Sequence, residues 1–393
     1  MKRSKRIFIM LLCFMCIFLT GCWDKIEIDR RVFISNIGID IGKDIQDEKK
    51  IKSLNTGYTL TEKEMNKLKI TFGFPDLAKI KQGEGTAEEN TMSIDAYSFQ
   101  DAICKVARKS SRMMYSGHAQ LLILSAEILQ YPDTVKEIID YIQRHPSINR
   151  NLLVIVCDGK AEDYIKYKPF MEKNIENYIT GVMENSEKNN FVLPITLNEF
   201  LTHLSESGDT VVPKIKYDKT QNEISLEGAA VIKNYKMIGQ LNPKQVSDLE
   251  LLKGRLKGGK RTIVYKEHLL DFFVDDVSRK IRFDKLDDKL LFNVDILIEG
   301  RIKGYYVDSD IFNESELREI EKEYNKAIKN NCEKFLSMTQ KKIDSDLVDF
   351  GVYLRKYRPN LWDEIKEDWN DKYKDIAVTV NVKTSIRRIG VAK

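Results

Sequence analysis

Histidine is scarce in this 393-residue sequence: His118, His145, His203 and His268 are all there are, and none has a second histidine one helical turn away. A zinc enzyme of the His-Glu-x-x-His kind needs two such ligands on one helix face, so that chemistry has no foothold. Cysteine is nearly as sparse. Of six, Cys13, Cys16 and Cys22 crowd the first 22 residues, and Cys104, Cys157 and Cys332 lie far apart. Three scattered thiols make neither a disulfide framework nor a metal cluster, and each is expected to be a buried small hydrophobe. A net charge is missing too. The sequence holds 64 Lys and Arg against 60 Asp and Glu, and Lys2, Arg3, Lys5 and Arg6 account for the whole excess. Beyond them the chain is formally neutral, which excludes the basic surplus that nucleic-acid binding uses to displace counterions. Internal repeats, low-complexity tracts and a Gly-x-Ser-x-Gly nucleophile elbow are absent as well.

Long apolar runs are limited to one. Residues 7–19 are uncharged and mostly bulky, follow the four basic residues, and end at Leu19-Thr20-Gly21-Cys22. Thirteen residues fall short of the roughly 20 that a spanning helix needs. The layout is that of a secretory signal peptide. Leu-Thr-Gly-Cys resembles the lipobox of bacterial lipoproteins, which implies a diacylglyceryl group on the Cys22 sulfur and removal of residues 1–21. Two acyl chains are also what stable anchoring requires, since one chain binds bilayers only marginally, at about 0.8 kcal/mol per buried methylene.

Candidate chemistry in the remaining chain is thin. Gly254-Arg255-Leu256-Lys257-Gly258-Gly259-Lys260-Arg261 matches part of a phosphate-binding loop. However, Arg261 stands where a Ser or Thr must hold magnesium, and the segment follows a helix where a strand is needed. Asp275-Asp276, Asp287-Asp288 and Asp344 with Asp346 are expected to be solvated charges in a chain with 32% charged residues. Asp344-Ser345-Asp346 lacks the glycine and distal glutamate of a calcium loop. No catalytic residues, cofactor or metal are expected.

Periodicity predicts an α+β protein with mixed and antiparallel sheets packed with helices. Residues 22–204 read as an N-terminal α/β region of two subdomains, 205–215 as a linker, and 216–393 as a C-terminal α+β domain built from an antiparallel meander and a long amphipathic helix. In the first region, Val32, Ile34, Ile37, Ile39 and Ile41 suggest one bulged strand, 44–69 a surface excursion, 68–74 a strand and 83–90 a connector. Helices are predicted near 99–113, 133–144, 170–188 and 196–204, and buried strands at 121–124 and 152–156. In the second region, strands are predicted at 211–217, 224–232, 237–241, 262–265, 269–274, 280–283, 290–306 and 376–382. Asn242 with Gln245 and Asn313 with Glu316 have capping-box spacing, as has Thr196 with Glu199 at the start of the helix near 196–204. The first pair opens a helix that ends at Gly258-Gly259, and the second opens one of about seven turns.

Cys22-Trp23-Asp24 followed by Ile37-Gly38-Ile39-Asp40 resembles the Ger(x)C family of spore germination lipoproteins, the C subunits of germinant receptors. The likeness continues through Ser116-Gly117-His118, Arg144-His145-Pro146-Ser147-Ile148-Asn149-Arg150, Glu227-Gly228-Ala229-Ala230-Val231, Gly239-Gln240-Leu241, Asp349-Phe350-Gly351, Tyr357-Arg358-Pro359-Asn360-Leu361-Trp362 and Val380-Asn381-Val382. The resemblance implies a non-enzymatic accessory subunit, lipid-anchored through Cys22 on the outer face of the spore inner membrane beside the integral-membrane A and B receptor subunits. A lipid-anchored solute-binding protein that captures the germinant itself is the rival reading, and it predicts two similar α/β lobes around a cleft.

Overall fold

Three short runs, Ile37-Gly38-Ile39, Leu121-Leu122-Ile123-Leu124 and Val154-Ile155-Val156, carry almost no polar side chain, as strands covered on both faces must. They form the middle of an eight-stranded mixed sheet in a computed structural model that describes residues 30–48, 53, 57, 65–76, 88–189, 194–287, 289–302 and 313–389. Strand β1 (Arg31–Phe33) leaves this sheet to pair in parallel with β5 (Met113–Tyr115). β2 (Asn36–Ile41) lies between β3 (Leu68–Pro75), antiparallel to it, and β6 (Leu121–Ser125), parallel to it. β4 (Glu89–Ala96) forms one edge. Beyond β6 come β7 (Leu153–Cys157), β8 (Asp209–Asp218), β9 (Glu223–Lys233) and β10 (Lys236–Leu241).

Alternate residues of the central strands feed two cores. Leu122, Leu124, Val154 and Val156 face helices α1 (Phe99–Ala107) and α2 (Pro132–Arg144), meeting Phe99, Val106, Val135, Ile138 and Ile142. Leu121, Ile123 and Ile155 face the other way, toward α3 (Ala161–Ile165) and α4 (Ile175–Asn189). Helix α5 (Leu197–Glu206) returns to the first face through Leu197, Phe200 and Leu204. Each such side chain, fully buried, contributes about 1.5–3 kcal/mol.

The second unit is a four-stranded sheet in the order β11 (Lys260–Tyr265), β12 (His268–Leu286), β13 (Lys289–Ile302), β14 (Ala377–Ile389). Leu290, Phe292, Val294, Ile296 and Ile298 point inward along β13, against Ile320, Tyr324, Ile328, Cys332 and Phe335 of α7 (Glu314–Met338). Helix α6 (Pro243–Lys253) precedes the sheet. Three short helices, α8 (Phe350–Tyr357), α9 (Pro359–Ile365) and α10 (Trp369–Asp375), lead into β14.

Several expectations need correction. The 205–215 stretch is no connector: α5 runs to Glu206, and β8 starts at Asp209 inside the large sheet. β9 belongs to both units, because Ala230 and Ile232 sit in the first core while Ala229 and Val231 sit in the second. The predicted single bulged strand is two strands, since the chain changes sheets at Ile34-Ser35. Two further strands are absent from the expectation: β4, although Met92, Ile94 and Ala96 alternate with Thr91, Ser93 and Asp95, and β5, whose three residues are too few to show a period. Residues 269–274 and 280–283 lie on one 19-residue strand, whose bulge between Val274 and Asp276 restores the inward phase. α6 ends at Lys253, with Gly254 in the left-handed conformation at φ 67°, before the glycine pair expected to stop it. β14 pairs in parallel with β13, so the second sheet is not purely antiparallel. Helix α4 begins at Ile175, leaving Phe170 98% exposed. Asn313 caps α7 by accepting the Ser315 N–H, while Glu316 binds Lys266 and Tyr265 instead. Cys157 and Cys332 are buried as expected, but Cys104 is exposed.

Candidate functional site: a polar cavity where the two units meet

The capping boxes read from sequence set the walls of a cavity of about 770 Å³. On one side, the Thr196 side chain accepts the Glu199 N–H while Glu199 accepts the Thr196 N–H, which fixes the start of α5 and hence the position of His203 one turn later. On the other side, Asn242 and Gln245 cap α6 reciprocally, and its last turn brings Glu250 and Lys253 to the cavity. Gly254 then reverses the chain, and a Cβ there would lie 2.6 Å from the Cβ of Arg279. The Arg279 guanidinium donates to the carbonyls of Leu252 (2.9 Å) and Val348 (3.3 Å), tying the end of α6 to the third wall, the segment before α8.

That third wall holds Asp346 and Asp349. Asp346 receives the Phe350 N–H at 3.1 Å, the Gly351 N–H at 2.6 Å and the Trp369 indole N–H at 3.3 Å. As a residue it is half-buried, but its carboxyl group is enclosed, and desolvation pushes it up to about 7 against the pull of the two backbone donors. Asp349 binds Lys253 at 3.1 Å and Arg255 more loosely at 3.8 Å. Asp209, at the start of β8, takes the Ser345 hydroxyl; burial raises its carboxyl, and that hydrogen bond opposes the rise. Burial also lowers His203, whose Nδ1 lies 3.2 Å from the Thr210 hydroxyl.

Glu250 differs from these. It is 5% exposed, desolvation raises its carboxyl against the opposing charges of Lys253 and Arg255, and its Oε2 has no hydrogen-bond partner. A buried acceptor without a donor is uncommon, because an unsatisfied buried polar group costs about 1–3 kcal/mol.

The sequence reading took such carboxylates for solvated charges. Asp346 overturns this for its own position, while Asp344 keeps a half-exposed side chain that pairs with Lys374 at 3.4 Å; Glu250 and Asp209 are further enclosed carboxylates that the sequence does not single out. One signal was available: Glu250 interrupts the apolar run Leu249, Leu251, Leu252. Of the loop-like 254–261 segment, Arg261 lies on β11, where its guanidinium holds Asp248 at 2.7 Å and Ser247 at 2.9 Å. Glu199, one turn before His203, serves as the cap partner of Thr196. His118 packs edge-on against Phe33 and Tyr115, and His145 bonds the Ser147 hydroxyl. Desolvation pushes the Cys157 thiol well up and the Cys332 thiol to about 12, which makes both poor nucleophiles. Among the described residues no group of three or more His, Cys, Asp or Glu is placed to hold a metal. Cys22 lies outside the described residues.

Comparison with known proteins gives the cavity its context. Residues 24–217 match the family model described as the spore germination protein N-terminal domain, and residues 227–390 match spore germination B3/GerAC like, C-terminal. Spore germination protein YndF of Bacillus subtilis (strain 168) is 26% identical over 98% of this chain and 96% of its own length. Spore germination protein A3 of the same organism is 25% identical over 93% of each. The crystal structure of the GerBC protein superposes with a TM-score of 0.60 at 16% identity, covering 85% of this chain and 99% of that one, so the fold is shared. Matched along nearly its whole length by the two models taken together, the chain belongs to the Ger(x)C family of spore germination proteins.

Proposed function

We propose that this chain is a non-catalytic, lipid-anchored accessory subunit of a spore germinant receptor. On this reading a diacylglyceryl group on Cys22 holds it to the outer face of the spore inner membrane, where it assembles with the integral-membrane A and B subunits and binds no nucleic acid. The observation that carries the reading is Leu19-Thr20-Gly21-Cys22 at the end of a thirteen-residue apolar run, in a chain of this family. Among the described residues no helix is long and apolar enough to cross a membrane. Tethering confines the body to the layer its partners occupy, so weak contacts suffice for assembly. The two units are unlike in sheet topology and share β9, which departs from the two similar lobes expected of a cleft-type solute receptor.

Cys22→Ala tests the anchor. The variant should fold normally, appear in the soluble fraction of spore lysates and germinate poorly in response to nutrients. Membrane retention with wild-type germination would overturn the anchor, and failure of the wild-type chain to co-purify with the two membrane subunits would overturn the assembly.

A further inference from the structure

We propose that the end of the β1–β5 ribbon is the face this protein lays on the bilayer, a basic patch around Met113 that meets anionic lipid headgroups. This rests on the lipid anchor at Cys22 and adds which way the anchored body is turned.

Eight residues of chain lead from Cys22 to Arg30, and an extended chain gains at most about 3.6 Å per residue, so the start of β1 stays within roughly 29 Å of the anchor. β1 and β5 run parallel with Arg31 opposite Met113, which sets Arg30 and Arg112 side by side at the end of the ribbon where the tether departs. The Arg31 guanidinium stands over the Tyr115 ring, 5.1 Å from its centroid. Between α1 and β5 the chain passes through Arg108 and Lys109. The Ser110 hydroxyl then closes the turn, accepting the Arg112 N–H at 3.1 Å and donating to the Arg112 carbonyl at 2.8 Å. Arg30, Arg108, Lys109 and Arg112 are exposed, and Met113 is 56% exposed beside them. Charge here is one-sided: residues 102–126 hold four basic side chains and no acidic one. Among the described residues, neither Lys109 nor Arg112 has a carboxylate partner. The tether brings Asp24, Glu27 and Asp29 against Lys25, too few to cancel Arg30, Arg31, Arg108, Lys109 and Arg112. Because the chain beyond residue 6 is formally neutral, an anionic surface does not draw the body as a whole but turns its basic end inward. Each basic side chain near such a surface strengthens contact roughly fivefold, and the attraction reaches only about 10 Å, a gap that the short tether allows to close. Met113 adds apolar surface at headgroup depth.

The test uses the lipidated chain isolated from bacterial membranes and bound to phosphatidylcholine vesicles with or without phosphatidylglycerol. Cys104→Ser removes the exposed thiol, and Cys157 and Cys332 are buried, so Met113→Cys accepts a single fluorophore. Gln221→Cys is the control. It lies in the β8–β9 turn, beyond the C-terminal ends of the parallel strands whose N-terminal ends β1 and β5 feed. With phosphatidylglycerol present, quenching by a doxyl lipid should be about twofold or more stronger at 113 than at 221. Lys109→Glu with Arg112→Glu should erase that difference and leave the thermal melt unchanged, since both side chains are exposed. A chain left in the supernatant would refute the anchor and this orientation with it. A chain that sediments with the vesicles would overturn the orientation alone if quenching were equal at the two positions, equal without phosphatidylglycerol, or undiminished in the folded double variant. Shielding of position 113 only when the A and B subunits are present would assign the patch to a protein partner and overturn it too.

Discussion

The Ser345 hydroxyl donates to the Asp209 carboxylate, joining the first residue of β8 to the segment before α8 across 136 positions of sequence. Asp209 is 9% exposed, so this bond crosses the junction of the two units away from bulk water. Ser345→Ala should cost about 1–3 kcal/mol by taking one hydrogen-bond donor from a buried carboxylate. A second polar bridge, Arg355 to Glu206 at 2.7 Å, is solvated at both ends, and Arg355→Ala should cost less than about 1 kcal/mol. Urea midpoints rank the two, and equal losses would contradict the assignment of the buried bond as the stronger.

Arg261 and Asp248 form a second buried pair, with side chains only 11% and 5% exposed. Arg261→Met should cost about 3–5 kcal/mol, because Asp248 would be left charged and alone beneath β11. Adding Asp248→Leu should recover most of the loss. A single variant as stable as the wild type in urea denaturation would show that Asp248 finds another partner.

Gly228 has φ 98°, and a Cβ there would lie 2.0 Å from the Leu241 carbonyl oxygen. Gly228→Ala combines a left-handed backbone, costing roughly 1–2 kcal/mol, with a backbone clash that must push β9 from the end of β10. A loss of at least about 2 kcal/mol is expected by chemical denaturation, with greater protease sensitivity near 241–242. An unchanged denaturation midpoint would mean that the two strands can separate there freely.

Stability should depend on pH through three carboxyl groups. Glu89, half-buried against Asn36, Ser35 and Glu176, is pushed up to about 7, first by desolvation and then by the Glu176 charge; Asp346 also stands at about 7. Folding therefore retains protons that the unfolded chain releases near pH 4, and these two groups make stability fall as pH rises from about 4 to 7. Glu162 works the other way. Its own burial would raise it, but hydrogen bonds from Lys166, Lys69 and Ser93 outweigh that and bring it to about 2, so its contribution is present above its ordinary value of 4.5 and is lost as pH drops toward 2. Each group contributes on the order of 2 kcal/mol. Urea midpoints from pH 3 to 8 should show the two limbs, and Glu89→Gln should flatten the upper one. A wild-type midpoint that climbs steadily from pH 4.5 to 7 would refute the raised values.

Several family-like motifs in the sequence turn out to be packing devices. In Ile37-Gly38-Ile39-Asp40, a Cβ on Gly38 would lie 2.7 Å from Ile165, and Asp40 accepts the N–H groups of Ala161 and Glu162 at 2.7 and 3.0 Å, seating α3 on the sheet. In Asp349-Phe350-Gly351, a Cβ on Gly351 would lie 2.7 Å from the Trp369 indole nitrogen. In Tyr357-Arg358-Pro359-Asn360-Leu361-Trp362, Pro359 opens α9 at its first turn. The motifs were legible without the structure, but their purpose was not, because each partner lies far along the chain.

The amino-acid order alone determined the local elements: the strands buried on both faces, the reciprocal caps at Thr196 and Asn242, and the seven-turn stripe of α7. These depend on side-chain period and on hydrogen bonds within four residues, which a linear reading can count. The tertiary structure decided that β9 is divided between two cores, that β14 runs parallel to β13, that Cys104 faces solvent, and that Glu250, Asp209 and Asp346 are enclosed. Burial of a charge depends on what distant chain packs over it, and no local period records that.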